Sequence, residues 1–189
     1  MKNEKILNLD CDEVLLQWGP AFKKFCQSKN INYQDDDNRK IIDILGWDLA
    51  FELVDEFNTN PKYFTNLQPY EDAAKYIPII HNDGWTINII TACGTSENAY
   101  NMRKENLSKM FGNVFNKILT VNYLDSKQPH LEKFKPTFWV DDSWIHIESG
   151  LAAGHKCIHL ARIHDKNKHD PRVFDAKSFK DIYKIINTK

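Results

Sequence analysis

The stretch Ile6-Leu-Asn-Leu-Asp10-Cys-Asp12-Glu-Val14 decides the fold of this chain. Its first four residues are largely apolar, and a short apolar run that ends in a polar turn is typical of a buried strand in a parallel sheet. Asp10 and Asp12 then lie at the carboxyl end of that strand. In open α/β sheets this edge binds ligands, because strand ends and helix amino termini meet there. Whether the two aspartates indicate a ligand site therefore depends on which residues the later strands bring to the same edge.

Composition limits what those aspartates can be. The chain has 189 residues, of which 42% are hydrophobic, enough for one substantial core and a small insertion. It has 25 basic and 26 acidic residues, so no general attraction to a membrane surface is expected and nucleic acid is an unlikely partner. The four cysteines lack Cys-x-x-Cys spacing, which favours reduced thiols over a zinc site. No apolar run reaches the roughly 18 residues of a membrane span. We expect a cytoplasmic protein, with a homodimer as one candidate assembly.

Four later stretches predict further strands, separated by helical patterns. The second strand delivers Thr91 to a small-residue loop, Ala92 to Ser96, whose exposed amides favour a phosphate group. The fourth delivers Asp141 and Asp142. Strands and helices that alternate at this spacing predict a three-layer α/β fold with a parallel sheet. The predicted strands are Trp85–Ile90, Lys117–Val121, Thr137–Val140 and Lys156–Leu160, and the predicted helices in this part of the chain are Pro69–Asn82, the segment up to Phe111 and Ser178–Ile186.

A compact helical insertion is predicted between the first two strands. Pro20–Ser28 and Trp47–Phe57 both show helical periodicity and are rich in aromatic residues. The acids Asp35-Asp36-Asp37 precede an apolar helical repeat, so we interpret them as the amino-terminal end of a helix rather than a metal site. The division that follows assigns residues 1–16 and 62–189 to an α/β core and residues 17–61 to the insertion.

Acidic side chains from separate strands are predicted to meet. Asp10 and Asp12 follow the first strand, and Asp141 and Asp142 follow the fourth. Carboxylates gathered at one edge cost several kcal/mol through repulsion and desolvation unless a cation lies among them. Oxygen ligands of this kind favour Mg²⁺ over Zn²⁺. The alternative is that each aspartate only caps the helix after its strand.

These segments carry a family resemblance. LNLDCDEV, IITA with Thr91, a lysine in the following segment and FWVDD resemble the four motifs of the haloacid dehalogenase (HAD) superfamily of phosphohydrolases, in order and spacing along nearly the whole chain. Within it, the opening motif followed by Trp18, the helical insertion after the first strand and Tyr63–Tyr70 resemble the 5'(3')-deoxyribonucleotidases. The resemblance implies a HAD-like, Rossmann-like core with residues 17–61 as a small helical cap.

The resemblance also implies catalytic roles. Asp10 would be the nucleophile that forms an aspartyl phosphate, and Asp12 would protonate the leaving alkoxide and later deprotonate water. Asp10, the main-chain carbonyl of Asp12 and Asp141 would hold Mg²⁺, and Asp142 would support the ion through water.

Phosphate would be bound by Thr91, the amide of Ala92 and a lysine. Lys127, at the predicted start of a helix, fits the third motif best, and Lys133 and Lys135 are the alternatives.

Two further positions bear on substrate choice. The family often has glycine where this chain has Glu13, which either adds negative charge beside the phosphate or points toward solvent. In the cap, Trp18 is expected to contact the ligand, and Trp47 is a second ring that could stack a nucleobase. The alternative for the cap aromatics is a structural role, and we expect most of one set to form its core. That set is Phe22, Trp47, Phe51 and Phe57.

The sequence thus predicts a Mg²⁺-dependent phosphomonoesterase for a small phosphorylated metabolite, most readily a (deoxy)nucleoside monophosphate. The alternatives are a phosphatase for sugar phosphates or nucleic-acid 3'-phosphate ends, and a non-catalytic binding protein on the same scaffold.

Overall fold

The computed structural model describes residues 4–34, 41–162 and 165–188. These residues form a parallel sheet of six strands, in the order β3-β2-β1-β4-β5-β6, with β1 between β2 and β4. The predicted parallel α/β fold is therefore confirmed. The predicted helix start at Asp35–Asp37 lies outside the described residues. The strands are β1 (Ile6–Leu9), β2 (Thr86–Ala92), β3 (Phe115–Val121), β4 (Phe138–Asp141), β5 (Lys156–Leu160) and β6 (Phe174–Ala176).

Helices connect the strands and cover the sheet. In the described part of the chain, α1 to α5 lie between β1 and β2, one helix follows each of β2, β3 and β4, and α9 follows the adjacent strands β5 and β6. None of the described helices combines the length and apolar character that a bilayer crossing requires. The helices are α1 (Trp18–Ser28), α2 (Ile41–Leu45), α3 (Trp47–Thr59), α4 (Pro61–Phe64), α5 (Glu71–Asn82), α6 (Glu97–Phe111), α7 (Gln128–Leu131), α8 (Trp144–Ala152) and α9 (Phe179–Asn187).

The central strands are apolar because both faces of the sheet are covered. Leu7, Leu9 and Ile89 are fully buried, as are Val140 and Ile158 on the neighbouring strands. Continuous apolar runs of this kind are what a parallel sheet between two helical layers requires. Burial therefore fixes which residues of each strand lie inside, and the polar residues that follow each strand are left at the sheet edge.

Strand register brings the ends of the three central strands level. Leu9 pairs with Ile89 on one side and with Val140 on the other. The next residue, Asp10, continues this pairing, since its backbone N–H donates a 2.9 Å hydrogen bond to the carbonyl of Val140. Asp141 is the last residue of β4. The first and fourth strands thus deliver their acids side by side.

The helical insertion has its own aromatic core. Trp18 stacks on Phe22 with ring centres 4.6 Å apart, and Phe57 meets both rings edge-on. Phe22 and Phe57 are fully buried, so the predicted core role of these two is confirmed. Edge-to-face and offset contacts of this kind add to the burial of apolar area.

Two of the predicted core aromatics are not in that core. Trp47 is 54% exposed and Phe51 is 49% exposed, so the expectation that most of the four rings form the core is wrong. Both lie on α3 in one stripe with Val54 and Asn58, beside the stripe that contains Leu53 and Phe57. Helical spacing alone did not distinguish two adjacent stripes, one packed inside the insertion and the other lining a cavity.

Candidate active site

Three buried carboxylates meet at the carboxyl end of the sheet. Asp10, Asp141 and Asp142 each offer an oxygen, and these oxygens all lie within 4.8 Å of one another. Burial raises the pKa of Asp10 and of Asp141. The pKa of Asp142 is raised well above its ordinary value, first by burial and then by repulsion from Asp141. Three carboxylates this close together therefore need compensating positive charge.

Lys127 reaches this cluster. Its side chain is buried, with Nζ 2.8 Å from Asp10 Oδ1 and donating a 2.8 Å hydrogen bond to Asp141 Oδ2. Burial acts to lower the pKa of Lys127, but attraction to Asp10 and Asp141 outweighs it and raises that pKa. Lys133 and Lys135 are exposed, and Lys135 lies 3.4 Å from Glu4 instead. Of the three candidate lysines, the structure brings Lys127 alone to the acids.

The alternative that the aspartates only cap helices holds in part for Asp141, because one of its two carboxylate oxygens has such a contact. Asp141 Oδ1 accepts a 2.9 Å hydrogen bond from the backbone N–H of Ser143, just before α8. The other oxygen of Asp141 binds Lys127. Asp141 therefore supports the start of α8 and takes part in the cluster at the same time.

Asp12 is held by an arginine that the sequence analysis missed. Arg103 Nη2 donates a 2.6 Å hydrogen bond to Asp12 Oδ2, and the Arg103 side chain is fully buried. Burial raises the pKa of Asp12, while Arg103 acts to lower it. The sequence did contain an indication of this contact. Arg103 lies four residues from both Ala99 and Leu107, and all three belong to the buried face of α6. A cation on such a face requires an acidic partner.

Thr91 and Ala92 lie at the end of β2, on the side of Asp10 opposite to β4. Thr91 is fully buried, and its hydroxyl has no hydrogen-bond partner within residues 4–34, 41–162 and 165–188. Both residues line the same cavity as the carboxylates. Further along the predicted phosphate loop, the amide of Gly94 already donates a hydrogen bond to the carbonyl of Val121 and is not free to bind a ligand. Thr91 and Ala92 are thus the loop residues placed to meet a ligand.

Glu13 points inward, so the solvent-facing alternative is wrong. The residue is 6% exposed, and its Oε1 accepts a 2.5 Å hydrogen bond from the backbone N–H of Gly19 in the first turn of α1. The hydroxyl of Tyr70 donates to Oε2. Glu13 has a φ of 58°, a conformation that favours glycine. Two hydrogen bonds between separate segments compensate for this strain.

His146 is a further group that had no predicted role. It lines the cavity on α8, and burial together with the nearby charge of Lys127 lowers its pKa to about 3. Its Nδ1 is buried and makes no hydrogen bond to any described residue. The imidazole is therefore neutral at physiological pH.

A cavity of about 730 Å³ opens above the carboxylates. Its far wall comes from the helical insertion and includes Trp18, Trp47 and Phe51. Trp18 is half-buried and donates a 2.8 Å hydrogen bond to Asn58, while Phe51 meets Tyr123 edge-on at 6.2 Å. Both predicted cap tryptophans thus border the cavity, and Phe51 joins them.

The donor set suits a hard divalent metal ion. Asp10, Asp141 and Asp142 supply carboxylate oxygens, and no cysteine or histidine belongs to the described cluster. Such oxygen ligands are those that Mg²⁺ and similar cations use, commonly with one or two carboxylates and a phosphate. The arrangement places clustered carboxylates, the Asp12 carboxyl group, the Lys127 ammonium group and the unpartnered Thr91 hydroxyl around one space.

No protein-family model and no curated protein matches the chain. Solved structures match over almost its full length. The YfnB HAD-hydrolase from Bacillus subtilis, bound to magnesium, is 16% identical with a TM-score of 0.68, covering 99% of this chain and 100% of the other. L-2-haloacid dehalogenase from Xanthobacter autotrophicus is 12% identical with a TM-score of 0.63, covering 97% and 98%. D,D-heptose 1,7-bisphosphate phosphatase from B. bronchiseptica, with magnesium and phosphate, is 12% identical with a TM-score of 0.61, covering 96% and 97%. The chain therefore has a HAD-like fold.

Proposed function

We propose that this protein is a Mg²⁺-dependent phosphomonoesterase whose substrate is a nucleoside monophosphate. The observation that carries the proposal is the convergence of Asp10, Asp141, Asp142 and Lys127 beside the unpartnered hydroxyl of Thr91. Phosphoryl transfer needs positive charge and directed hydrogen bonds around a phosphate, together with a positioned nucleophile. The cavity provides these groups on one side.

The reaction proceeds in two displacements. A carboxylate oxygen of Asp10 bonds to phosphorus as the ester P–O bond breaks, and Asp12 gives its proton to the departing oxygen. Water then attacks the aspartyl phosphate, Asp12 takes a proton from that water, and inorganic phosphate leaves. Lys127 holds Asp10 in place and offsets negative charge. Asp10, Asp141 and Asp142 would hold Mg²⁺, which would supply further neutralisation of the transferring group.

The nucleoside part of the proposal rests on the cavity wall. Trp18, Trp47 and Phe51 present ring surface across the space from the carboxylates. A planar base stacked on such rings gains about 1–3 kcal/mol per base. The cavity volume of about 730 Å³ is within the range of small-molecule sites. A sugar phosphate would fill the phosphate end and leave the rings unused.

The other reaction found among proteins of similar fold, dehalogenation, makes less use of this site. Displacement of a halide from carbon releases an anion that needs no proton and has no phosphate charge to neutralise. The second acid, Asp12, and the metal-suited carboxylate cluster would then have no chemical task. These groups favour phosphoryl transfer.

The test is release of phosphate by the purified protein with Mg²⁺. The panel contains 5'- and 3'-nucleoside monophosphates with ribose or deoxyribose, ribose 5-phosphate, a 3'-phosphorylated oligonucleotide and p-nitrophenyl phosphate, with halide release from 2-chloropropionate measured in parallel. We expect the largest kcat/KM with a nucleoside monophosphate and no activity in Asp10→Asn. Release of halide in place of phosphate would reject the proposal, and binding of nucleotides without turnover would support the non-catalytic alternative.

A further inference from the structure

Arg103 is a buried cation whose charged end lies directly against Asp12. Its side chain is 0% exposed, and Nη2 is 2.6 Å from Asp12 Oδ2, across a sequence separation of 91 residues. An arginine with no access to solvent must be compensated by a nearby acid. A second buried cation, Lys127, contacts Asp10 and Asp141. The two acids of the proposed reaction therefore each have their own cation.

The guanidinium is fixed by its surroundings as well as by Asp12. Its central carbon lies 4.2 Å from the ring centre of the buried Phe64 on α4. One turn further along α6, the side-chain amide of Asn106 donates to the carbonyls of Thr65, at 3.2 Å, and Leu67, at 3.0 Å. These contacts tie α6 to the segment that follows α4. The position of the charged end is therefore set by the fold and does not depend on a ligand.

This contact makes the two oxygens of Asp12 unequal. Oδ2 is held by Arg103, whereas Oδ1 is buried and makes no hydrogen bond to any residue that the structure describes. Asp12 lines the cavity with its side chain 21% exposed. A carboxylate that is hydrogen-bonded at one oxygen cannot rotate freely about its Cβ–Cγ bond, so the orientation of the other oxygen is fixed as well. General acid catalysis depends on such placement, because the acid must reach the leaving oxygen within hydrogen-bond distance.

We propose that Arg103 is a positioning residue that fixes Asp12 so that Oδ1 exchanges protons with the substrate and with water. The inference rests on the proposed phosphomonoesterase function and assigns a task within it to a residue that does not touch the substrate. In the first displacement Asp12 Oδ1 gives its proton to the ester oxygen as the P–O bond breaks. In the second it takes one proton from the attacking water.

The test compares two leaving groups in Arg103→Met and Arg103→Lys. The parameter is kcat/KM, which covers the steps up to the first P–O cleavage and so isolates protonation of the leaving group. An alkyl leaving group, as in a nucleoside 5'-monophosphate, requires a proton, whereas p-nitrophenolate leaves without one. We expect Arg103→Met to lower kcat/KM for the alkyl ester about 10²-fold, at the lower end of general acid catalysis. The value for p-nitrophenyl phosphate should remain near that of the wild type.

Arg103→Lys separates positioning from folding. It keeps a buried cation beside Asp12 but loses the planar fork, so it should fold and show an intermediate, still leaving-group-dependent loss. Lys104→Met, at the exposed neighbouring position on α6, is the matched control and should change neither value. Equal losses for both esters in Arg103→Lys would overturn the positioning role and leave the phosphatase intact. A wild-type protein that releases phosphate from neither ester would overturn both proposals.

Discussion

The two sides of the cavity are built from different kinds of residue. The sheet side presents buried charge, with Asp10 and Lys127 in contact at 2.8 Å. The insertion side presents aromatic surface, of which Trp47 and Phe51 are about half exposed. Charge must be placed accurately to act, whereas apolar surface tolerates adjustment. Under the proposed function, this difference assigns the chemistry to the sheet side and the choice of substrate to the insertion.

The interactions that hold the residues of the two sides in place also differ. Strand register and buried ion pairs hold the clustered carboxylates and Lys127, so their positions follow from the core. The insertion is held by the aromatic cluster of Trp18, Phe22 and Phe57. Changes on the sheet side should therefore alter turnover of all alkyl phosphates by a similar factor. Changes on the insertion side should alter the ratio between substrates.

Glu13 is where the two sides join. It directly follows Asp12 and binds both Gly19 at the start of α1 and Tyr70 just before α5. Its left-handed backbone turns the chain from the sheet into the insertion. The helical insertion is therefore tied to the carboxylate cluster through Glu13.

The largest effect should follow removal of the buried lysine. Lys127→Met leaves Asp10 and Asp141 without their cation and removes positive charge from the proposed phosphate site. We expect kcat to fall about 10²- to 10³-fold, the range found when one group that stabilises developing charge is removed. The fall should be similar for nucleotides and for ribose 5-phosphate, as measured by steady-state phosphate release. Lys133→Met is the matched control at an exposed position, and a loss in Lys127→Met confined to nucleotides would contradict the division of the cavity.

Divalent metal should stabilise the sheet side. A ligand that binds only the folded state at 100 times its Kd adds about 2.7 kcal/mol to the free energy of unfolding. We expect Mg²⁺ to raise the midpoint of thermal unfolding in wild type and to do so less in Asp142→Asn. Without metal, Asp142→Asn should itself be more stable than wild type, because it removes repulsion from Asp141. An equal rise with sodium at matched ionic strength would show general screening and no site.

The parts of the site that the sequence could predict are those in which local pattern and topology suffice. Asp10 and Asp141 follow short apolar strands, and parallel pairing brings their ends together without further information. Arg103 could not be assigned to Asp12 from spacing, because the contact depends on how α6 packs across 91 residues. Edge strand β6 was missed because it has three residues and only one of them is buried.

The pH dependence of stability should also come from the sheet side. Burial lowers the folded-state pKa of His146 to about 3, below its unfolded value of 6.5. Its contribution to stability is therefore complete above pH 6.5 and declines as pH falls toward 3, by about 1.4 kcal/mol per pH unit. Between pH 6.5 and pH 5 we expect the free energy of unfolding to lose roughly 2 kcal/mol from this group. Urea denaturation of wild type and His146→Gln at both pH values measures it.

That comparison needs the variant because the carboxylates act in the opposite direction. The pKa values of Asp10 and Asp142 are raised by burial, so their protonation favours the folded state as pH falls. The two contributions offset each other in the wild type. His146→Gln removes the histidine contribution and keeps that of the carboxylates, so between pH 6.5 and pH 5 its free energy of unfolding should fall less, or rise more, than that of the wild type. Parallel curves for the two proteins would show that the His146 ring is not buried as described.

The smallest effect should appear on the insertion side. Phe51 is 49% exposed and lines the cavity, so Phe51→Ala should change the free energy of unfolding by no more than about 0.5 kcal/mol. Loss of one partly exposed stacking ring should cost about 1 kcal/mol of binding, or roughly fivefold in kcat/KM, for a nucleoside monophosphate. Ribose 5-phosphate has no base to stack and should react unchanged. Leu49→Ala is the matched control, since Leu49 is exposed on the same helix but does not line the cavity. An equal loss with both phosphates would show that Phe51 supports the catalytic groups, and the assignment of selection to the insertion would then be wrong.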